Sequence, residues 1–402
     1  MKQSVVSQNR IGRCLRSIAL VFLACVGTVT SASSESMASA ANRAPIVTTQ
    51  EGLLRGTSTE ALSVFKGVRY GESAGGARRF RPPMPVRAWK GVRNAKALGS
   101  QCMQVNEDLP AWQDPSSTSE DCLFLNVWSP RRSEKLPVMV FLHGGAYLWG
   151  SGGVRLYDGA ALAQRGDVIV ITVNHRLNAF GYMYLPELAD RYGDAANLGQ
   201  QDLVEALRWV RRNVAAFGGD PDNVTIFGES GGGGKVSSLL GMPSAKGLFH
   251  KAIVQSGSVL RLRSRQQATS DALAVLEALG LKRIEMDKLR TVSAARLLKA
   301  ARAVAERGGI ESGLKDIAFS PVLEPRTLPF DLATPESRLL WQDIPLLVGT
   351  NEAESVFPLG LTGSLPEVAS EAALLDKVQA FGRTARQSAE QLVAAYREHD
   401  PS

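Results

Sequence analysis

Gly228-Glu229-Ser230-Gly231-Gly232 sets a serine between glycines directly after an apolar run, Asn223 to Phe227. G-x-S-x-G between a strand and a helix is an arrangement that lifts a hydroxyl clear of a sheet. A turn this sharp brings backbone against backbone, which is why glycine flanks the serine on both sides. The next residue opens a helix, so the Gly231 N–H points at negative charge developing on an attacked carbonyl. The chemistry indicated is acyl transfer through a serine. A phosphate-binding G-x-x-x-x-G-K-[ST] loop, read back from Gly234-Lys235, would need glycine where Glu229 stands and serine or threonine where Val236 stands.

A second apolar run, Pro137 to Leu142, ends in His143-Gly144-Gly145-Ala146. Consecutive glycines after a strand leave N–H groups facing one point with no side chain in the way. Gly144, Gly145 and Gly231 are therefore the candidate oxyanion donors, each worth about 3 kcal/mol of transition-state stabilisation. A third run, Ile344 to Val348, leads into Thr350-Asn351-Glu352-Ala353-Glu354-Ser355. A carboxylate just past a strand's carboxyl end is where the acid of a serine triad sits, to fix the imidazole tautomer and stabilise its charged form. The candidates are Glu354 and, behind it, Glu352. Chain order in such a site is serine, acid, histidine. His143 belongs to the glycine loop, His175 precedes the serine, and His250 precedes a strand and so lies at the opposite sheet edge. His399 alone follows Glu354, in a polar helix end beside the terminus. The sequence predicts a nucleophile without its base and impaired turnover.

These residues need a sheet to position them. Asp167 to Val173 and Lys251 to Gln255 are further apolar runs bounded by Gly, Asn or Pro. Such runs suit strands buried on both faces of a mainly parallel sheet. Gln200 to Phe217 carries Leu203, Leu207, Val210 and Val214 at helical spacing and is closed by Gly218-Gly219-Asp220-Pro221. The predicted class is α/β, with the site at the carboxyl ends of the strands. Residues 45–130 hold short β-like pieces, and 261–315 read as helices lying over the pocket.

Of the 402 residues, 44% are hydrophobic, enough for a large core. The first 40 differ from the rest. Lys2, Arg10, Arg13 and Arg16 lead an apolar stretch, Ser17 to Val29, and small residues follow to Ala41. This is the layout of a signal peptide, with Ala38-Ser39-Ala40 as a cleavage site, and it predicts an exported domain over 41–402. The stretch is shorter than the roughly 20 residues of a spanning helix, so no membrane span is expected after cleavage. Cys14 and Cys25 leave with it. Cys102 and Cys122 remain, either as one disulfide, worth roughly 3 kcal/mol for a loop of this size, or as two buried thiols. The net charge is +7. Residues 261–315 hold 12 Lys and Arg against 6 Asp and Glu, which suits a solvated helical face. No motif or aromatic platform accompanies that charge, so nucleic acid is not an expected partner. No cofactor or metal spacing is present.

The motifs together resemble the type B carboxylesterase and cholinesterase family. Glu120-Asp121-Cys122-Leu123-Phe124-Leu125-Asn126-Val127 is similar to its second signature. Phe65-Lys66-Gly67-Val68-Arg69-Tyr70-Gly71 is similar to an early strand motif, and Asn174-His175-Arg176-Leu177 to its N-Y-R-L segment, with His for Tyr. Asn197-Leu198-Gly199-Gln200-Gln201-Asp202 and Phe217-Gly218-Gly219-Asp220-Pro221 resemble the segments before its nucleophile. The resemblance covers roughly 45–395. It implies an α/β-hydrolase fold, a small carboxylic ester as substrate, Glu354 as the acid and a bond between Cys102 and Cys122. Two departures stand out: Gly231 where alanine is usual, and Ser355 where glycine is usual. No segment resembles the family's histidine segment, so the chain is expected to be C-terminally incomplete, with the last strand and helices missing and an apolar sheet edge exposed. The competing reading is a non-catalytic binding or adhesion relative on the same scaffold.

Overall fold

The computed structural model describes residues 44–105, 113–131, 134–188, 195–307, 317–352, 354, 370–381 and 388–399. The predicted signal segment, with Cys14 and Cys25, lies outside them, as does Ser355.

Eight strands form the main sheet: β1 (Thr57–Ser58), β2 (Leu62–Arg69), β3 (Phe124–Pro130), β4 (Leu136–Leu142), β5 (Ile169–Val173), β6 (Gly219–Glu229), β7 (Lys251–Gln255) and β8 (Leu346–Gly349). Their order across the sheet is β8-β7-β6-β4-β5-β3-β2-β1. The five strands from β8 to β5 run parallel, and β3, β2 and β1 continue the sheet antiparallel. Every residue of β5 is buried. Val138, Val140, Val224, Ile226 and Val254 join the same core. The apolar runs on β4, β5, β6 and β7 are thus core strands of a mainly parallel sheet, with β8 exposed beside them.

Helix α1 (Leu198–Asn213) puts Leu203, Leu207 and Val210 into that core, and the chain turns through a short 3-10 segment to Gly218 in the left-handed region. Helix α2 (Gly231–Leu240) follows β6 with Ser230 as its N-cap. Helices α3 (Arg265–Ala278) and α4 (Ala294–Arg307) lie in the predicted helical block. They pack Ala272, Val275, Leu276, Leu297 and Val304 onto a second cluster that contains Phe180, Tyr182 and Tyr147. Cys102 and Cys122 form a disulfide.

The motif segments interlock. Arg69 donates to Asp121 from both guanidinium ends, the longer bond 2.7 Å, and Arg79 Nε donates to Glu120 at 2.6 Å. The buried Arg176 donates through Nε to Asp202 at 2.8 Å and through Nη2 at 2.6 Å. These pairs fix the segments around the strand ends; breaking the Arg176–Asp202 pair, buried on both sides, would cost about 3–5 kcal/mol.

Candidate active site

Strand register brings the candidate residues together. Val173 pairs with Leu142, Leu142 with Gly228, Gly228 with Val254, and Val254 with Val348. That row crosses five parallel strands at one level near their carboxyl ends. Just beyond it come His143-Gly144-Gly145, Glu229-Ser230, Ser256 and the turn holding Glu354. β4 and β6, separated in sequence by β5, are neighbours in the sheet, which puts the glycine loop beside the serine.

Ser230 has φ 55° and ψ −123°, outside the regions L-residues favour. Such strain, of order 1–3 kcal/mol, persists only where the surroundings over-determine it. Its N–H donates to the Gln255 carbonyl at 2.9 Å, and its carbonyl accepts from Gly234 at 3.1 Å. A Cβ on Gly228 or Gly232 would collide with the Leu142 carbonyl oxygen, so two of the motif's glycines are required by the approach of β4. A Cβ on Gly144 would stand 3.7 Å from the Ser230 Cβ. A Cβ on Gly231 would run into the backbone of Ala146. The loop therefore lies against both the serine and the first residue of its helix. Ala146, at φ 51°, has its backbone closer to Gly231 than the glycine pattern alone indicates, and sequence reasoning missed it.

Glu354 is exposed, and its Oε1 accepts the Asn351 N–H at 2.7 Å. The Ser256 hydroxyl and then the Asn351 amide hold its carboxyl below the usual range. Glu229, beside the serine, is pushed the other way, by burial first and then by the charge of Glu354. The charge of Glu354 is thus felt by Glu229 across the strand ends. Glu229 and Ser256 had no signal in the sequence beyond their places next to Ser230 and after β7. Glu352 is exposed.

The histidines divide as follows. His143 and His175 are fully buried and stack at 4.7 Å between centroids. Each Nδ1 donates to a backbone carbonyl at 2.9 Å, Gly144 and Arg176 respectively, and neither Nε2 has a partner. Burial, then the charge of Lys235, pushes both well below the usual imidazole range. The His250 Nδ1 accepts from Val224 at 3.1 Å, at the amino end of β7. The His399 side chain lies outside the described residues. Among the described imidazoles none bonds to Ser230. No group of three His, Cys, Asp or Glu with metal-holding geometry occurs among the described residues, and no helix there is long and apolar enough to cross a membrane.

A mainly parallel sheet, a strained serine at its carboxyl edge and a glycine loop in register beside it define the α/β-hydrolase class. Residues 43–397 match the model of the carboxylesterase family. The chain is 45% identical over 311 residues to the para-nitrobenzyl esterase of Bacillus subtilis (strain 168), covering 77% of this chain and 63% of that protein. It is 37% identical over 314 residues to the fumonisin B1 esterase of Sphingopyxis macrogoltabida, covering 76% and 55%. A solved structure of a thermophilic PNB esterase superposes with a TM-score of 0.77 at 40% identity, covering 88% of this chain and 72% of that one. The chain belongs to the carboxylesterase family, and it spans 63% and 55% of the length of the two curated relatives.

Proposed function

We propose that this chain is a serine carboxylic ester hydrolase acting through an acyl-serine intermediate on a small-molecule ester. The observation that carries the reading is the common register of Leu142 and Gly228, which sets the Gly144–Ala146 amides beside Ser230. In acylation the Ser230 oxygen bonds to the ester carbonyl carbon and the carbonyl oxygen takes up negative charge. The alkoxy C–O bond then breaks, and the leaving oxygen takes the proton lost from the serine. Water repeats the attack on the acyl-serine and frees the acid. Gly144, Gly145 and Gly231 supply N–H groups to the oxyanion, with Ala146 as a further donor. Glu354 is the acid that would orient a base. The name of the Bacillus subtilis relative makes a para-nitrobenzyl ester a natural first probe. We read the domain as exported.

No described imidazole meets Ser230, and removing the histidine from a triad lowers turnover on the order of a million-fold. With no described imidazole in reach, Ser230 is expected to acylate slowly. A fluorophosphonate should label it at Ser230, with the label lost in Ser230→Ala, while p-nitrophenyl acetate turnover stays near background. Turnover typical of an intact esterase would refute the impairment. Labelling that persists in Ser230→Ala would refute the serine mechanism. A folded wild-type chain that never labels would favour the binding-relative reading.

A further inference from the structure

The loop facing Ser230 runs through Gly144, Gly145 and Ala146, which have almost no side chains to hold its shape. One helix supplies much of the hold. Lys235 lies in the second turn of α2, fully buried, and its Nζ donates to the His143 carbonyl at 2.8 Å. The same Nζ sits 5.7 Å from the ring centroid of Tyr147, at the far end of the loop. The Tyr147 hydroxyl lies against α2, 2.5 Å from where a Cβ on Gly234 would stand. The carbonyls between are engaged as well. Gly144 accepts from His143 Nδ1 at 2.9 Å, and Gly145 from the Leu148 and Trp149 N–H groups at 3.2 Å.

A trans peptide carries its C=O and the following N–H on opposite sides, and no cis peptide occurs among the described residues. Drawing the His143 carbonyl toward Lys235 therefore turns the Gly144 N–H the other way. The bonds to the Gly144 and Gly145 carbonyls turn the N–H groups of Gly145 and Ala146 by the same logic. None of the three N–H groups has a backbone acceptor among the described residues, and the Gly144 N–H is turned toward the Tyr157 hydroxyl.

We propose that Lys235 is a positioning residue for the oxyanion loop: it fixes the His143–Gly144 peptide and ties the loop to the helix that begins at the nucleophile. The proposal rests on the acyl-serine reading. Burying an amine is unfavourable in itself, and burial pushes the Lys235 amine well below the usual lysine range. As ammonium or as amine it still has an N–H for the carbonyl. Its length spans from α2 to the start of the loop, where a shorter donor at that position reaches less fully. Lys235 touches no substrate. Its effect is on where the amides point, and so on the reacting state rather than on binding.

The test is the rate of fluorophosphonate labelling of the full chain, resolved into the inhibitor's binding constant and its maximal rate. With no described imidazole bonded to Ser230, the reactivity expected under this reading rests largely on the oxyanion donors, so the maximal rate reports on the loop. Lys235→Met keeps length and removes the donor. It should lower the maximal rate by on the order of 10- to 100-fold, short of the full loss of a donor, with the binding constant within about twofold of wild type and a cooperative thermal transition. Lys235→Gln, a shorter and neutral donor, should fall between wild type and Lys235→Met. If Lys235→Met does not fold, Lys235→Gln read against wild type decides by the same split. An unchanged maximal rate in a folded variant overturns the role of Lys235 while leaving the serine mechanism standing. Equal losses in binding and rate would also overturn it, as general disorder. Failure of wild type to label, or labelling of Ser230→Ala, overturns the mechanism and this proposal with it.

Discussion

At Ser230 a backbone angle, and no contact of its own hydroxyl, carries the functional signal: φ 55° and ψ −123° are held by bonds to Gln255 and Gly234. Gly231, next in the chain, bears on the departure from the family's usual alanine. Alanine would gain up to about 1 kcal/mol of helix propensity over glycine. Its methyl would meet the backbone of Ala146, and backbone atoms cannot rotate aside as a side-chain end does. Overpacking of this kind costs about 1–3 kcal/mol, so the clash outweighs the propensity. Gly231→Ala should lower the melting temperature and slow labelling of Ser230 by displacing the loop. A variant at least as stable as wild type that labels at full rate would show that the loop yields freely and that the contact with Ala146 does not matter.

The elements behind the site carry a pH dependence. His143 follows β4, His175 follows β5, and their rings stack under the loop beside Lys235. Burial disfavours protonation of both, so the unfolded chain binds protons that the folded chain refuses. This stability is fully present above the ordinary imidazole pKa, about 6.5, and is lost as pH falls below it. Melting temperature should therefore drop between pH 7 and 5. His175→Phe should flatten that drop while lowering stability throughout, because the bond to the Arg176 carbonyl is gone. An equally steep profile in the variant would assign the dependence to other groups. The strands bearing this stack were legible from their sequence: the runs Pro137 to Leu142 and Asp167 to Val173 fall on β4 and β5, because apolar runs between Gly, Asn and Pro have few alternatives in a parallel sheet. β6 begins earlier than predicted, at Gly219, where a register shift lets Asp220-Pro221-Asp222-Asn223 run alongside β4 before regular pairing resumes. The places of Ser230, Glu354 and the glycines at the carboxyl edge of the sheet were legible because a motif and a strand end marked each. Lys235 was not. A lysine in a helix reads as solvent-facing, and its burial depends on His143 and Tyr147, some 90 residues earlier in the chain. Ala146 was missed for a related reason, since which loop amide abuts Gly231 depends on turn geometry that glycine counting does not capture.

For the molecule as a whole the sheet is asymmetric. β5 is buried throughout, whereas β8 pairs with β7 alone among the described residues and every one of its residues is exposed. Leu346, Leu347 and Val348 are 38%, 63% and 50% exposed, and Leu339, on a nearby helix, is 64% exposed. Buried on both faces, such residues would make a good parallel strand. Exposed and without a second partner strand among the described residues, they form an apolar edge of the kind that acts as a template for another strand. The chain should therefore self-associate, and sedimentation velocity should show a weight-average mass that rises with concentration. Leu347→Lys puts a charge at the most exposed position of the edge, a device natural edges use against pairing, and should shift the onset to higher concentration. The substitution removes little buried surface, so the melting temperature should barely move, which separates an edge effect from loss of fold. A wild-type chain that stays monomeric at every concentration, or a Leu347→Lys variant that associates just as readily, would show that this edge does not govern the molecule's association.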